Sequence, residues 1–450
     1  MKKKILLRHA VLPAMLFGLM VSCSDGTELN EVPKDNPEDP VENPVEGPVT
    51  PSEDFTNELK PVELTAEGKE ISNKLVDFYN AYTKYAAAYV DENEVEKNFV
   101  VSPLSASIVL SMMGNAVEGN LKQEIISCLG LNSLEGVNDF AHTLLTSLPA
   151  LDKTTKMNLD NAVWVNDYFK LLPDFSDVMS NVFESEISYL DLNDMNFAKD
   201  KINSWIAEKT EGKITDYITP DDLYNLKAML MNVMNFKAVW NEEDLFDEKA
   251  TEKKPFYGQN FETAVETMKS KTGLLYYISD AEMQYLALPF GNGAYWFEVV
   301  MPAEGNSIYE LPEKVESHIK DLRDLKLGSN TCIGNVELPK FSLDTDLKLN
   351  NILKSAGVEH INNLAELSIF VREHEGDIDK EAWMQFRQEV VFDVNEKGAE
   401  AVAVSSNGMA GSPGPSEKLP VEVKVNKPFM FFITESSTGA SLVAGRITDL

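Results

Sequence analysis

The segment Asn98-Phe99-Val100-Val101-Ser102-Pro103-Leu104-Ser105 gives the most direct indication of how this chain folds. Proline is tolerated in the first turn of a helix, where its missing N–H is unpaired in any case, so Ser102-Pro103 predicts a helix start. A largely apolar run continues to Met113. The segment therefore predicts a helix that enters the core of a sizeable domain.

The residues on either side extend this pattern in two ways. Upstream, apolar residues recur every three or four positions, as expected of a helix with one buried face. They are Ile71, Leu75, Phe78, Tyr82, Ala86 and Tyr89. Downstream, apolar β-rich runs occur at 162–165, 230–236, 295–301, 390–394 and 429–433. Helices followed by strands indicate an α+β fold with extensive, mostly antiparallel sheet, in one domain from residue 62 to residue 450.

The first 22 residues have the composition of a secretory signal peptide. Lys2, Lys3, Lys4 and Arg8 precede an apolar stretch from Ala10 to Val21, which is shorter than the roughly 20 residues of a membrane-spanning helix. The end of this stretch, Leu19-Met20-Val21-Ser22-Cys23, resembles a bacterial lipobox. The resemblance implies cleavage before Cys23 and lipidation of its thiol, which would anchor the protein in the bacterial cell envelope, at the outer membrane. An ordinary signal peptide is the alternative, and a periplasmic or outward-facing orientation stays open.

Residues 23–61 are acidic and rich in proline, which recurs every three to four residues between Pro33 and Pro51. Such a stretch offers few apolar side chains to bury and repels itself, so it favours extended conformations. We expect a disordered tether that follows the lipidated N-terminus. The alternative is a partner-binding segment.

The overall composition excludes several classes of function. Among 450 residues, 73 are acidic and 40 are basic, which gives a net charge of −33 and argues against nucleic-acid binding. The three cysteines (Cys23, Cys128 and Cys332) form no CxxC pair, and the five histidines form no HExxH motif. We therefore expect no metal, no cofactor and no hydrolase chemistry.

Six blocks of the sequence, in this order, resemble characteristic segments of the serpin family. They are Asn98–Ser105, Gly114–Asn120, Ile202–Ile214, Asn232–Trp240, Val336–Phe341 and Asn426–Phe429. The resemblance extends from about residue 65 to Leu450. It implies three mostly antiparallel β-sheets, eight to nine α-helices and an exposed reactive loop near the C-terminus, at about residues 396–420.

The resemblance also implies a function, that of a monomeric inhibitor of serine-type endopeptidases and not of an enzyme. In inhibitory serpins the protease cuts the loop and forms an acyl-enzyme, and the cut loop then inserts into the main sheet as a new central strand. The implied partners are serine proteases, with cysteine proteases as a second target class. The competing interpretation is a non-inhibitory serpin that acts as a surface-exposed binding module.

The hinge of the loop, Glu396-Lys397-Gly398-Ala399-Glu400-Ala401-Val402-Ala403-Val404-Ser405-Ser406, is compatible with insertion. A strand that enters a packed sheet must present small side chains to the core at alternate positions. One alternate set is small and consists of Ala399, Ala401, Ala403 and Ser405, whereas Glu400 lies on the other set, where solvent can reach it. Gly398 provides a pivot at low steric cost, and no proline occurs between Gly398 and Ser412.

The reactive bond is predicted less sharply than the hinge. Counting from the hinge by the usual family spacing leads to Ser412-Pro413, and counting back from Asn426 leads to Glu417-Lys418. Because Pro413 and Pro415 lack the N–H that a central strand needs, cleavage upstream of Pro413 is favoured. Met409-Ala410 is the leading candidate and suits elastase-, subtilisin- or chymotrypsin-like pockets. The alternatives are Ala410-Gly411, the bond after Ser412, and Lys418-Leu419, which suits a trypsin-like enzyme.

The resemblance further implies a region where the main sheet opens. Ser102, Ser105 and Asn232 match the place where the sheet parts, and Trp240 matches the place where the hinge first enters. Small hydroxyls can exchange hydrogen bonds between a closed and an opened sheet. Gln388 stands where the family has a histidine, so we expect a network without a titratable group at that position.

Overall fold

The computed structural model describes residues 57–93, 98–224, 226–242, 244–316, 331–361, 368–370, 387–399 and 420–450. The chain divides into two units, residues 1–55 and residues 56–450, and only the second contains described residues. The predicted signal peptide, Cys23 and the tether as far as residue 56 lie outside them. So do Glu400, Ala401, Ala403 and every candidate reactive bond from Met409 to Leu419.

The helices occupy mainly the first half of the domain. They are α1 (Ala66–Asn93), α2 (Pro103–Ala116), α3 (Gly119–Cys128), α4 (Val137–Ser147), α5 (Pro173–Asn181), α6 (Met195–Lys209) and α7 (Leu349–Ser355), and residues 311–316 are helical as well. The helix predicted from apolar residues three and four positions apart is confirmed as α1, since Ile71, Leu75 and Tyr82 are buried. The helix start at Pro103 is also confirmed, because the Ser102 hydroxyl caps α2 by accepting from the Ser105 N–H at 3.2 Å.

The strands make up most of the remaining described residues. They are β1 (Phe99–Val101), β2 (Lys156–Asn166), β3 (Glu186–Leu190), β4 (Ala228–Val239), β5 (Glu252–Tyr257), β6 (Glu262–Lys269), β7 (Gly273–Ser279), β8 (Met283–Phe290), β9 (Tyr295–Pro302), β10 (Thr331–Pro339), β11 (Phe341–Lys348), β12 (Arg387–Asn395), β13 (Gly398–Ala399), β14 (Val421–Lys424), β15 (Phe429–Glu435) and β16 (Ser441–Ile447). The apolar runs of the sequence lie in β2, β4, β9, β12 and β15. The α+β expectation is therefore confirmed.

The described strands form two sheets, where three were expected. One sheet has the order β11-β12-β13-β4-β2-β3, and the other has the order β1-β16-β15-β9-β8-β7-β10-β6-β5 with β14 beside β10. The difference arises at β10, whose first half pairs with β7 and whose second half pairs with β6. This one long strand joins into a continuous sheet the strands that would otherwise form two.

The main hydrophobic core lies between the two sheets and extends to α1 and α2. Phe392 of β12 stacks on Phe431 of β15 with ring centroids 5.3 Å apart, which joins the sheets directly. A smaller cluster packs α6 onto the opposite face of β2 and β4, where Trp205 meets Trp164 edge to face. The six-stranded sheet is therefore covered on both faces. Among the described helices, none combines the length and the apolar composition that a membrane span needs.

Candidate functional site: the hinge and the strands beside it

The hinge segment, defined here as residues 396–399, enters the six-stranded sheet instead of projecting from it. Gly398 and Ala399 form β13, which pairs antiparallel with β12 on one side and antiparallel with β4 on the other. Ala399 lies opposite Val394 and Ala238, and all three are buried. Among the described strands, no residue pair joins β4 directly to β12. The loop predicted at 396–420 therefore begins with residues that are already part of the sheet.

Gly398 has a backbone conformation and surroundings that require glycine. Its φ is +146°, in a region that residues with a side chain rarely adopt. A Cβ at this position would overlap the Ala238 carbonyl oxygen and would lie 2.9 Å from the Val239 Cα. The predicted pivot is thus also a point where two backbones approach closely, which is a stronger constraint than a turn would impose.

Glu396 holds the entrance of the hinge segment through two partners from distant parts of the chain. The Thr251 hydroxyl donates to its Oε1 at 2.7 Å, and the Lys340 Nζ lies 3.1 Å from its Oε2. Burial of this carboxyl acts to raise its pKa, but the hydrogen bonds and the Lys340 charge outweigh burial and hold the pKa below its ordinary value. Glu396 is therefore ionised and fixed at neutral pH.

Trp240 closes the same end of the gap between β4 and β12. Its ring stacks on Phe290 with centroids 4.8 Å apart, and its indole N–H donates to the Asn395 carbonyl at 3.0 Å. Its backbone N–H donates to the Lys397 carbonyl at 3.1 Å. Trp240 therefore contacts the backbone on both sides of Glu396, at the start of the hinge segment.

The middle of the gap is spanned by a polar network, which we call the central network, formed by Ser102, Ser105, Gln388 and Tyr82. Gln388 Nε2 donates to the Ser102 carbonyl at 2.8 Å, and its Oε1 accepts from the Ser102 N–H at 2.9 Å and the Tyr82 hydroxyl at 3.4 Å. The Ser102 hydroxyl donates to the Ser105 hydroxyl at 2.9 Å. An amide can serve as both donor and acceptor for one backbone unit, and it does so here without carrying a charge.

Asn232 lies apart from the hydrogen bonds of the central network. Its Nδ2 donates to Asn161 Oδ1 at 2.8 Å, across the β2–β4 pair. Its Oδ1 is buried without a hydrogen-bond partner among the described residues. Asn232 nevertheless lines, with Ser105 and Gln388, a cavity of about 60 Å³ between β4 and β12. The structure thus brings together four of the five predicted sheet-opening residues around one gap, with Trp240 at its end.

No sequence pattern indicated Thr251 and Lys340, the two side chains that hold Glu396. Lys340 lies within Val336–Phe341, one of the six blocks that resemble the family. Its partner Glu396 is 56 residues away in the sequence, and no spacing rule connects the two. Thr251 follows a short 3₁₀-helix (Glu248–Ala250) and carries no recognisable motif. Within the described residues, no cluster of His, Cys, Asp or Glu could hold a metal ion.

The fold and the hinge define a class of α+β proteins in which a short segment near the C-terminus, here β13, pairs between two strands of the main sheet. A family model described as Serpin (serine protease inhibitor) matches residues 81–450. The chain belongs to the serpin family, whose members are generally serine protease inhibitors.

Individual relatives agree with this placement. Serine protease inhibitor 2 of Anopheles gambiae is 26% identical over 364 residues, which cover 78% of this chain and 87% of that protein. Iripin-5 of Ixodes ricinus is 30% identical over 378 residues, which cover 79% of this chain and 90% of that protein. The crystal structure of Serpin48 from the insect Tenebrio molitor superposes with a TM-score of 0.69 at 24% identity, over 86% of this chain and all of that one.

Proposed function

We propose that this protein inhibits serine proteases as a suicide substrate whose cleaved loop inserts between β4 and β12. The observation that carries the proposal is β13, because Gly398 and Ala399 already pair with both strands. A strand that continues from Ala399 would find a partner on each side. Inhibition by this mechanism needs such a continuous path for the loop.

The residues that follow the hinge suit this path. Ala401, Ala403 and Ser405 continue the inward set that begins at Ala399, so insertion would bring only small side chains toward the buried core. The first proline after the hinge is Pro413. Residues 400–412 therefore keep every N–H that the new ladder would use.

The proposed reactive bond is Met409-Ala410. The serine hydroxyl of the protease would attack the Met409 carbonyl, the peptide bond to Ala410 would break, and the new amine of Ala410 would leave with a proton. Met409 would then be esterified to the protease. Insertion of the cut loop would carry the protease along and distort its active site before water completes hydrolysis. The apolar, unbranched Met409 favours elastase-, subtilisin- or chymotrypsin-like targets.

We further propose that the mature protein is anchored at the bacterial outer membrane through lipidated Cys23, with residues 24–61 as a spacer. The basis is the sequence of the first 23 residues. Labelling of cells with a palmitate analogue should mark the wild-type protein and not Cys23→Ser. Labelling of both proteins would exclude Cys23 as the acylation site.

The inhibitory function is tested by incubating the purified domain with a pancreatic-type elastase, a chymotrypsin and a trypsin. We expect an SDS-stable complex, of the combined mass of protease and inhibitor, with the elastase or the chymotrypsin. Met409→Pro should abolish that complex, and Lys418→Pro should leave it intact. Clean cleavage of the loop by all three enzymes without any complex would favour the non-inhibitory binding module instead.

A further inference from the structure

The pairing of Ala399 with both neighbouring strands determines where the next residue would lie if the strand continued. Ala399 lies opposite Ala238 of β4 and Val394 of β12, and both pairings are antiparallel. In an antiparallel ladder the pairing advances one residue at a time in opposite directions. If the strand continues, residue 400 lies opposite Lys237 on one side and Asp393 on the other.

Residue 400 would face α6, because side chains directly opposite one another in a sheet point to the same face. Ala238, Val394 and Ala399 belong to the main core. Lys237 points to the other face, where its ammonium forms an ion pair with Glu211. Asp393 points there as well, with its Oδ2 4.0 Å from the Nζ of Lys213.

Glu211 and Lys213 belong to the turn that follows α6, which we call the α6 turn and define as residues 210–214. The turn is fixed locally, since the Thr210 hydroxyl donates to the Ile206 carbonyl at 2.8 Å and accepts from the Ile214 N–H at 3.2 Å. Glu211 has a φ of +54°, an uncommon conformation for a residue with a side chain. The turn thus presents a carboxylate and an ammonium over the strands that flank the hinge.

The two lysines near this turn have different ionic partners, Glu211 for Lys237 of β4 and Asp393 of β12 for Lys213. Glu211 forms ion pairs with Lys156 of β2 and Lys237 of β4, and these two ammonium groups lower the pKa of its carboxyl to about 2. Burial lowers the pKa of the Lys213 ammonium, and Asp393 offsets this only in part. An additional carboxylate between β4 and β12 would therefore stabilise the charged form of Lys213.

We propose that Lys213 and Lys237 form a receiving site for the carboxylate of Glu400 when the loop inserts. The proposal rests on the insertion mechanism proposed above and adds the residues that set its register. The occupant is the segment of this chain that begins at Glu400, because Glu400 directly follows Ala399 in the sequence and carries a carboxylate. Lys213 and Lys237 would act as positioning residues, because they would set the register of the inserted strand through Glu400.

The residues beyond Glu400 fit the same register. If the strand continues, Val402 and Val404 would follow on the face of α6, opposite Asn235 and Val233 of β4. That face of the gap is lined by apolar side chains, which are Ile206, Ile214, Tyr217, Met231, Val233 and Val391. A slip by one residue would turn the Glu400 carboxylate toward the buried core and would move the small inward residues to the α6 side. One charge placed on the two lysines therefore distinguishes the correct register from its neighbours.

The proposal is tested with a double-mutant cycle on Glu400→Gln and Lys213→Gln. The first measurement is the difference in melting temperature between the loop-cleaved and intact forms of each variant. The second is the fraction of inhibitor that forms an SDS-stable complex with an elastase. Each single variant should show a smaller melting difference and an about tenfold lower ratio of SDS-stable complex to cleaved inhibitor, the size expected of one partly buried charge-assisted hydrogen bond. In both measurements, the double variant should lose no more than the single variant with the larger loss.

Two controls separate this role from general effects of charge or stability. Lys201→Gln removes an exposed lysine of α6 and should leave both measurements unchanged. Glu400→Asp retains the charge and should restore much of the SDS-stable complex that Glu400→Gln loses. Additive effects in the cycle, or the same loss in Lys201→Gln, would overturn the proposal.

The outcome also distinguishes this proposal from the function on which it rests. If the wild-type protein gains no thermal stability on loop cleavage, the insertion mechanism itself fails. If the wild type gains stability and Glu400→Gln gains as much, insertion stands and the receiving site is wrong.

Discussion

The hinge end and the middle of the β4–β12 gap are held by different chemistry. At the hinge end, the ionised Glu396 is bound by Thr251 and Lys340, and Trp240 packs beside it. In the middle, Gln388 pairs with the backbone of Ser102 through two neutral hydrogen bonds. The hinge end thus depends on charge, whereas the middle depends on the geometry of one amide.

This difference bears on the proposed insertion of the loop, for which the sheet must be stable beforehand and must then part. Neutral hydrogen bonds to a backbone unit can be exchanged for equivalent ones with an incoming strand, because no charge has to be desolvated. A buried ion pair cannot be exchanged so easily, since separating it leaves a charge without a partner. We therefore expect the hinge end to determine where the loop enters and the middle to determine how readily the strands part.

The largest effect is expected from Gly398→Ala, which tests whether the hinge end depends on backbone geometry as well as charge. The added Cβ would overlap the Ala238 carbonyl oxygen, so β13 should be displaced and insertion should stop. We expect the free energy of unfolding, measured by urea denaturation, to fall by about 3 kcal/mol or more.

Gly305→Ala is the matched control for that substitution. Gly305 also has a positive φ, of +85°, but a Cβ there meets no heavy atom within 4 Å. Its loss should be about 1 kcal/mol, from the backbone conformation alone. Equal losses in the two variants would mean that the close approach at Gly398 has no energetic weight.

Gln388→Ala tests the middle of the gap. It leaves the Ser102 N–H and carbonyl without their side-chain partner in a buried site, so the free energy of unfolding should fall by about 2–3 kcal/mol. Urea denaturation of the intact protein is the measurement. A loss below about 0.5 kcal/mol would show that other groups satisfy the Ser102 backbone.

Gln388→His sharpens the same comparison by making the middle titratable. A neutral imidazole can both donate and accept, but an imidazolium can only donate, so protonation removes the acceptor for the Ser102 N–H. The unfolded state would then bind more protons than the folded state, and stability should decrease as the pH falls through about 6.5. The wild type should show no such step in urea midpoints between pH 5 and pH 8 from this position. A flat profile for the variant would contradict this account of the network.

Glu396→Gln tests the charge at the hinge end. The carboxyl has a lowered pKa, so its contribution to stability is present above its ordinary value of 4.5 and is lost as the pH falls below that value. The variant should lose about 1–2 kcal/mol at pH 7. The difference between wild type and variant in urea midpoint should shrink toward pH 3, and a constant difference would exclude the ionised form as its source.

Trp240→Phe should have the smallest effect at the hinge end. Phenylalanine can keep the stacking on Phe290, but it loses the indole N–H that donates to the Asn395 carbonyl. We expect a loss of about 1 kcal/mol in the urea-derived free energy of unfolding. A loss as large as that of Trp240→Ala, about 3–5 kcal/mol, would show that the ring does not repack and that packing dominates.

Local sequence patterns predicted the elements but not the long-range pairings between them. The spacing in α1 and the proline at the start of α2 determine structure over a few residues, so the sequence was sufficient there. The union of two expected sheets through β10 depends on pairings between Thr331 and Tyr276 and between Pro339 and Thr267, which no local pattern encodes.

The same limit applies to the candidate site. The sequence indicated Gln388 and Ser102 as members of one network through a family resemblance, and the structure shows how the amide reaches a backbone unit 286 residues away. The partners of Glu396 were not indicated, because Thr251 and Lys340 are recognisable only from their distance to its carboxylate. The roles of these residues in inhibition stay predictions.

The most direct test is the crystal structure of the protein after cleavage within its loop. Residues 400–406 are expected to extend β13 as a central strand, with Glu400 opposite Lys237 and Asp393 and with Ala401 and Ala403 toward the core. A structure of the cleaved protein in which β4 and β12 pair directly with each other, and the cut segment lies outside the sheet, would contradict the account.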